Sequence, residues 1–471
     1  MDRHIINEMK LIVGKEYICT AQEDLICYSY DGTGQQFMPA AVVFPNSSKE
    51  ISAIMKLASS HAFPVVPRGA ATGMSGGSLP INGGLVLAMT RLNRILEIDE
   101  ANHIAVVEPG VINGQFREVL EEKGLFYPPD PASLKFCTMG GNVAECAGGP
   151  SAVKYGVTRD YVLGLEVVLP DGRILQTGVR TAKGVVGYDL TRLFIGSEGT
   201  LGIITKIIVK VIALPTAKKT FLASCASLTG ATRLVSRILK NITTCTLEYL
   251  DNTAVEIVRN KLPLPLNPET KALLLIEVDG DPLSVNTQAD QLNSMLTADS
   301  EILSIHEAAS TEEKGALWTA RRAVSPAAFN LRPDKISEDV VVPRAHIPDL
   351  VLCAEHLSHK YSIPIFTFGH AGDGNIHVNI MLDKKNPEEY ANARSAKEAL
   401  FHEVIRLSGT LSGEHGVGIT KAQFLPLELD ETSLAVMQSV KKLFDPLNIL
   451  NPGKIFPREK NLVDDETGLF S

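Results

Sequence analysis

The segment that decides the fold is RGAATGMSGGS, residues 68–78, which follows the apolar run PVVP. Its glycines permit positive φ angles and a close approach of backbone to ligand, so the loop can present several N–H groups to an anion. Arg68 adds a cation. Taken alone, such a loop is more often a surface turn. Neither GxGxxG nor GxxxxGK[ST] occurs in the chain, which disfavours a Rossmann nicotinamide site and a P-loop.

Two further glycine-rich stretches of low charge follow the first. They are PPDPASLKFCTMGGNVAECAGGPSAVKYGVT, residues 128–158, and FIGSEGTLGIIT, residues 194–205. Three such stretches in one predicted domain indicate a long ligand that is threaded along the backbone.

The stretch FGHAGDGNIHVNI, residues 368–380, is predicted to form a β-hairpin around a Gly-Asp-Gly turn. The second strand alternates, so that His377 and Asn379 share one face. His370 closes the first strand and can lie close to His377 across the turn. These residues indicate a polar cavity, although a pair of hydrogen-bonded structural histidines fits the same pattern.

Composition limits the classes of function. A chain of 471 residues is too long for one core, so two or three domains are expected. The net charge of −9 argues against nucleic acid or anionic membrane as a partner. We expect no membrane span and no signal peptide, because no apolar run is long enough. Seven cysteines without a CxxC pair suit a reducing compartment, and we expect a cytoplasmic protein without its own iron–sulfur motif.

The sequence resembles a known family between residues 38 and 457. The first part resembles the FAD-binding domain of the vanillyl-alcohol oxidase superfamily, and the second resembles its 2-hydroxy-acid dehydrogenase branch. The motifs that carry the resemblance are PRGAATGMSGGSLP, TMGGNVAECAGGPSAVKYGVTRDYVLGLEVVLPDG, GSEGTLGIITK, GHAGDGNIHVN, LSGEHGVGITK and NPGKIF.

The resemblance implies an α+β fold. It comprises an FAD-binding domain of two α+β subdomains and a cap domain with an antiparallel sheet flanked by helices. The expected boundaries are a peripheral N-terminal segment at 1–37, the FAD-binding domain at 38–217, the substrate or cap domain at 218–420, a return onto the FAD domain at 421–457, and an acidic, mobile tail at 458–471.

The resemblance also implies which residues bind FAD. Those of the first stretch are Arg68, Gly69, Ala70, Ala71, Thr72, Gly73, Met74 and Ser75. The others are Pro131, Ser133, Thr138, Gly140, Gly141, Asn142, Gly148, Gly149, Glu198, Gly199, Ile203 and Asn451. Covalent relatives carry a histidine where this chain has Ala71 and Thr72, so the expected FAD is non-covalent.

A metal site needs a third ligand beside His370 and His377, and LSGEHGVG offers Glu414. Two histidines and one carboxylate suit Zn²⁺ and also Mn²⁺ or Fe²⁺. The resemblance assigns a divalent metal to the same three residues. A metal-free polar site and an iron oxygenase are the alternatives.

Arg321, Ser325 and Lys335 lie in the run LWTARRAVSPAAFNLRPDK. Taken alone, such a run is more often a solvated helix face. By resemblance, these residues bind the substrate carboxylate, which suits a forked guanidinium and an ammonium. Asn379 shares the strand face of His377 and is expected to bond the substrate. His415 is expected to act as the base.

The function implied is oxidation of a small 2-hydroxy acid, D-lactate or glycolate, to the 2-oxo acid. A longer acid such as 2-hydroxyglutarate is the first alternative, and a metal-dependent hydrolase is a remote one. An electron-transfer subunit that depends on another chain for catalysis is a third alternative. The chain shows no electron exit of its own. The expected acceptor is therefore a partner protein, either an electron-transferring flavoprotein or an iron–sulfur subunit.

Overall fold

The computed structural model describes residues 1–457, and the tail expected to be mobile, 458–471, lies outside the described residues. The chain forms two compact units. Unit 1 consists of Met1–Gly148, Val157–Leu214 and the chain from Glu414 onward, and unit 2 consists of Gly149–Gly156 and Pro215–Gly413. The domain boundaries expected from the sequence stay a prediction.

Unit 1 is built on two main sheets. Its strands are β1 (Ile18–Cys19), β2 (Ala41–Val43), β3 (Val65–Arg68), β4 (Leu85–Ala88), β5 (Ile95–Asp99), β6 (Ile104–Val107), β7 (Leu125–Phe126), β8 (Val162–Val168), β9 (Ile174–Gly178), β10 (Ile203–Lys210) and β11 (Ile212–Ala213). One sheet has the order β1-β2-β4-β3, in which β2 and β3 run parallel to β4. The other is antiparallel, with the order β5-β6-β10-β8-β9, and β7 pairs separately with β11.

The helices of unit 1 cover these sheets. They are α1 (Arg3–Val13), α2 (Gln22–Leu25), α3 (Ser48–His61), α4 (Asn113–Glu121) and α5 (Met139–Glu145), and, later in the chain, α7 (Leu190–Phe194), α15 (Leu425–Glu428) and α16 (Glu431–Phe444). α3 begins after Ser47, whose side chain accepts a hydrogen bond from the Glu50 N–H and so caps the helix.

The N-terminal segment is not peripheral, which corrects the expectation from the sequence. The apolar residues Ile5, Met9 and Val13 recur every four positions along α1, and all three are buried. They join the core cluster that holds α3 and the first sheet together.

Unit 2 confirms the expected antiparallel sheet flanked by helices. Its strands are β12 (Ala217–Cys225), β13 (Thr246–Leu250), β14 (Ala272–Gly280), β15 (Ile302–Glu307), β16 (Asp334–Val341), β17 (Ile365–His370) and β18 (Asn375–Leu382). They form one sheet with the order β15-β12-β14-β13-β17-β18-β16, in which every pair is antiparallel. Its helices are α6 (Ala152–Tyr155), α8 (Leu228–Asn241), α9 (Asn252–Val258), α10 (Pro282–Thr297), α11 (Thr311–Arg322), α12 (Val324–Ala327), α13 (Ile347–Tyr361) and α14 (Pro387–Arg406).

The hairpin predicted around the Gly-Asp-Gly turn is present as β17 and β18. Its register pairs Phe368 with His377 and His370 with Asn375. Both strands are buried along their whole length, because they lie inside the seven-stranded sheet. The polar face of β18 therefore lies in the interior of unit 2.

The length and hydropathy of a helix decide whether it can cross a membrane. Within residues 1–457, none of the helices combines the length and the apolar character needed to cross a bilayer.

Replacing Met9 by alanine tests whether α1 belongs to the core. Met9 is 0% exposed, so Met9→Ala is expected to lower the free energy of unfolding of unit 1 by about 2–5 kcal/mol. Leu11→Ala, at an 88% exposed position of the same helix, is the matched control and should change it by less than about 0.5 kcal/mol. Urea unfolding measures both variants, and equal small effects would contradict the packing of α1.

Candidate active site

The first glycine-rich loop leaves β3 in a strained conformation. Ala71 has φ +54°, in the left-handed region that residues with a Cβ rarely adopt. Ser75 is buried, and its Oγ has no hydrogen-bond partner among residues 1–457. The Ile419 N–H donates to the Ser75 carbonyl at 2.8 Å, which ties the loop to the segment after Glu414.

Arg68 is buried and only partly satisfied by the protein. Its Nη2 donates to the Tyr30 carbonyl at 2.7 Å, and its Nη1 has no partner in the part of the chain that the structure describes. Burial lowers the pKa of Arg68, against the opposing effect of Asp31. The guanidinium thus faces the Tyr30–Asp31 turn, and one nitrogen is left for another acceptor.

The second stretch packs directly on the first. Thr138 caps α5 by accepting a hydrogen bond from the Gly141 N–H, and a Cβ on Gly69 would collide with the Thr138 Oγ. Asn142 is buried with its Nδ2 unpartnered among the described residues. Cys146 has φ +58°, in the left-handed region that residues with a Cβ rarely adopt.

Glu198 of the third stretch is hydrogen-bonded to the loop that carries Glu414 and His415. Its buried carboxylate accepts the N–H groups of Val417 and Gly418, each at 2.7 Å. Burial raises the pKa of Glu198, and these two hydrogen bonds oppose that effect. The Asn451 side chain donates to the carbonyls of Glu198 and Gly77, both at 2.7 Å, so the C-terminal return meets two glycine-rich stretches.

These observations fit a bound FAD. Unit 1 brings the three stretches and Asn451 together, whereas Gly149 belongs to unit 2. Several of the polar atoms that are buried without a partner in the described chain come from these same segments. Among them are Arg68 Nη1, Ser75 Oγ, Ser78 Oγ, Asn142 Nδ2 and Asn451 Oδ1. A polar ligand with phosphate, hydroxyl and ring-nitrogen groups can satisfy such atoms.

His370 and His377 face one another inside unit 2. They are 5% and 7% exposed, and their Nε2 atoms are 3.4 Å apart. The rings are nearly perpendicular, with centroids 5.1 Å apart. The third expected ligand, Glu414, belongs to unit 1. Two imidazoles and a carboxylate are ligands of Zn²⁺, Mn²⁺ and Fe²⁺, so the donor set fits a divalent metal.

Glu414 is the residue at which the chain passes from unit 2 to unit 1. The preceding Gly413 is anchored in unit 2, because its N–H donates to the Asp339 carbonyl and carboxylate, both at 3.0 Å. Residues 412–418 form neither helix nor strand, and Gly416 and Gly418 have φ +82° and +51°. This irregularity permits adjacent side chains to leave the strand alternation. His415 is partly buried, and its Nε2 lies 3.9 Å from Glu414 Oε1.

The residues expected to hold the substrate belong to α11, α12, β16 and β18. Lys335 Nζ donates to the Ser325 hydroxyl at 2.6 Å. Burial lowers the pKa of Lys335 to about 8, and no carboxylate among residues 1–457 pairs with it. The amide of Asn379 is buried, and its Oδ1 accepts a hydrogen bond from the Ser337 hydroxyl at 3.1 Å.

Arg321 has a partner that sequence reasoning missed. The guanidinium donates from Nε at 2.8 Å and from Nη2 at 2.5 Å to Oε2 of Glu248, and its Cζ lies 4.5 Å from the centre of the Phe368 ring. The other carboxylate oxygen of Glu248 accepts from His370 Nδ1 at 2.5 Å. Burial alone would raise the pKa of Glu248, but Arg321 and then His370 outweigh it and lower that pKa.

Comparison with known proteins agrees with the fold. The crystal structure of p-cresol methylhydroxylase with substrate bound aligns with a TM-score of 0.79 at 17% identity, covers 96% of each chain and shows the shared fold. The FAD binding domain family matches residues 39–178, and the C-terminal domain family of FAD linked oxidases matches residues 214–455.

Two curated relatives extend over nearly the whole chain. Glycolate oxidase subunit GlcD of Bacillus subtilis is 45% identical and covers 95% of this chain and 96% of its own length. D-lactate dehydrogenase of Anaerostipes hadrus is 34% identical, with 88% and 89% covered. The chain therefore belongs to the FAD-linked oxidase family and is an FAD-dependent oxidoreductase, which excludes the hydrolase alternative.

Lys335 generates a prediction about pH. The ammonium form attracts a carboxylate, and this form is fully present below about pH 8 and is lost as the pH rises through that value. The Kd of a small carboxylate, measured by calorimetry, is expected to rise by up to about tenfold per pH unit above 8. Lys335→Gln should bind weakly without this dependence, and the exposed control Lys360→Gln should keep it. A wild-type Kd that is constant from pH 7 to 10 would contradict the assignment.

Proposed function

We propose that this chain oxidises a small 2-hydroxy acid, D-lactate or glycolate, to the corresponding 2-oxo acid. The observation that carries the proposal is Lys335, a partly buried cation whose described polar contact is a hydroxyl and not a carboxylate. Such a cation suits an anionic substrate, because a bound carboxylate restores the charge balance. The names of the GlcD and D-lactate dehydrogenase relatives support the same class of substrate.

Each candidate residue has one role in this proposal. Arg321, Ser325 and Lys335 bind the substrate carboxylate, and Asn379 borders the substrate. His370, His377 and Glu414 hold a divalent metal (Zn, Mn or Fe), which supplies positive charge that favours the ionised 2-hydroxyl.

His415 takes the proton of that hydroxyl, and the C2 hydrogen leaves carbon with its two electrons. Together, these two losses convert the C2 alcohol into a carbonyl.

The three glycine-rich stretches and Asn451 hold FAD without a covalent bond. FAD bound there supplies the acceptor for the two electrons and the C2 hydrogen. The electrons then pass to a partner protein, an electron-transferring flavoprotein or an iron–sulfur subunit. The relative named as a glycolate oxidase subunit supports an assembly with other chains. Free cysteines at all seven positions are compatible with a cytoplasmic location.

Anaerobic reduction of the flavin tests the proposal without any knowledge of the electron acceptor. D-lactate or glycolate is expected to bleach the flavin absorbance faster than D-2-hydroxyglutarate, the longer acid that is the alternative substrate. Faster reduction by the longer acid would favour the alternative. Failure of every 2-hydroxy acid to reduce the flavin would refute the proposed reaction. Acid precipitation of the same sample should release all yellow colour into the supernatant.

The metal is tested through His377. His377→Ala removes one of three ligands, so it is expected to lose bound metal while it keeps stoichiometric FAD, because the FAD residues lie in other segments. Elemental analysis and the flavin spectrum measure the two groups on one sample. Active wild-type protein free of divalent metal would rule out the metal site.

The base is tested through His415. His415→Ala should keep FAD, metal and near-normal substrate affinity, while its rate of flavin reduction falls roughly 10²–10⁴-fold, the usual share of general base catalysis. His402→Ala, at an exposed position of α14, is the control and should reduce at the wild-type rate. Stopped-flow absorbance under anaerobic conditions measures both variants. An unchanged rate in His415→Ala would remove this residue from the mechanism.

A further inference from the structure

Glu248 is a fully buried carboxylate in the middle of the seven-stranded sheet. It lies on β13, is 0% exposed, and stands directly opposite His370 of β17 in the strand register. An ionised carboxylate in such a position costs several kcal/mol unless it is paired. Its two oxygens are paired with two different candidate residues, His370 and Arg321.

The contact with His370 decides which ring nitrogen faces His377. His370 Nδ1 lies 2.5 Å from Oε1 of Glu248, and Arg321 donates to Oε2 of the same carboxylate, so Glu248 is placed to accept from a proton-bearing Nδ1. In that tautomer the lone pair of the His370 ring is on Nε2, which lies 3.4 Å from His377 Nε2. Carboxylates that hold the second nitrogen of a ligating histidine set the tautomer and raise the affinity for metal.

The contact between Glu248 and Arg321 sets the orientation of the Arg321 guanidinium. Nε and Nη2 are both directed at one oxygen of Glu248, and the guanidinium plane is supported by the ring of Phe368. Nη1 has no described contact in residues 1–457, so this edge is left to a ligand. The orientation of the edge follows from Glu248, because a free arginine side chain samples many rotamers.

We propose that Glu248 is a positioning residue that assembles the metal site and the carboxylate-binding site as one unit. One oxygen sets the His370 tautomer for the metal, and the other sets the direction of Arg321 for the substrate. This inference rests on the proposed function, because it assigns a role toward the same metal and the same substrate.

The chain contains a matched control in Glu277 of β14. This carboxylate is also buried in the same sheet, and it accepts from Trp318 Nε1 at 2.9 Å, the Thr220 hydroxyl at 2.7 Å and Lys218 Nζ at 3.2 Å. Its described partners include none of the candidate metal or substrate residues. A purely structural buried carboxylate should therefore behave like Glu277.

The experiment compares Glu248→Gln with Glu277→Gln in the FAD-loaded protein. Zn²⁺ affinity is measured by competition with a chelator, and flavin reduction by D-lactate and by glycolate gives the substrate concentration at half-maximal rate. Glu248→Gln is expected to weaken Zn²⁺ binding 10–100-fold and to raise the half-saturating concentration at least tenfold, as loss of an outer partner does. Glu277→Gln is expected to lower the melting temperature only.

Glu248→Asp is the second variant and decides the matter if the glutamine variant does not fold. It keeps the charge but shortens the reach by one methylene, so it should also weaken Zn²⁺ binding and raise the half-saturating concentration. A folded Glu248 variant that keeps the Zn²⁺ affinity and the half-saturating substrate concentration of the wild type would overturn the inference. Equal losses in Glu277→Gln would overturn it too. Wild-type protein that binds no metal and is not reduced by any 2-hydroxy acid would instead overturn the proposed function.

Discussion

The buried carboxylate of Glu198 is the constraint on which the candidate site of unit 1 depends. A carboxylate removed from water must be met by donors, and here the donors are the N–H groups of Val417 and Gly418. This pairing holds the irregular loop that carries Glu414 and His415. The Glu198 carbonyl in turn accepts from Asn451, which also reaches Gly77. Segments from residues 77, 198, 417 and 451 therefore meet at one point.

Strained backbone marks the same region. Ala71, Cys146, Glu198 and Asn451 all have φ between +43° and +58°, and none is glycine. Each such residue costs roughly 1–3 kcal/mol, so it persists only where the surrounding contacts impose it. The four residues lie in the glycine-rich stretches and the C-terminal return. This clustering agrees with a ligand site in which backbone shape has been selected at the expense of stability.

Arg321 and Lys335 are partly buried cations of unit 2 with different partners, and the difference suits the proposed chemistry. Arg321 is neutralised by Glu248, so its role is directional and its charge is already balanced. Lys335 contacts a hydroxyl, and burial lowers its pKa because no carboxylate in the described chain offsets the desolvation. A substrate carboxylate placed between them gains a net charge from Lys335 and a hydrogen-bonding edge from Arg321. Substrate binding then stabilises the charged form of Lys335.

Short stretches of the sequence were enough to predict many features of this protein. The glycine-rich loops, the hairpin with its two histidines, the capped helix after Ser47 and the family motifs all lie in short stretches of sequence. Only the tertiary structure revealed the roles of Glu248 and Glu198 and the packing of α1. Glu248 is 122 residues from His370 and 73 from Arg321, and these three residues meet only because β13 pairs with β17 and α11 packs beside them. The family motif placed Glu198 near FAD, but its hydrogen bonds to Val417 and Gly418 were not visible in the sequence, since these donors lie 219 and 220 residues away. Long-range pairing of buried charges leaves no periodicity in the sequence, which is the physical reason that it became visible only in the fold.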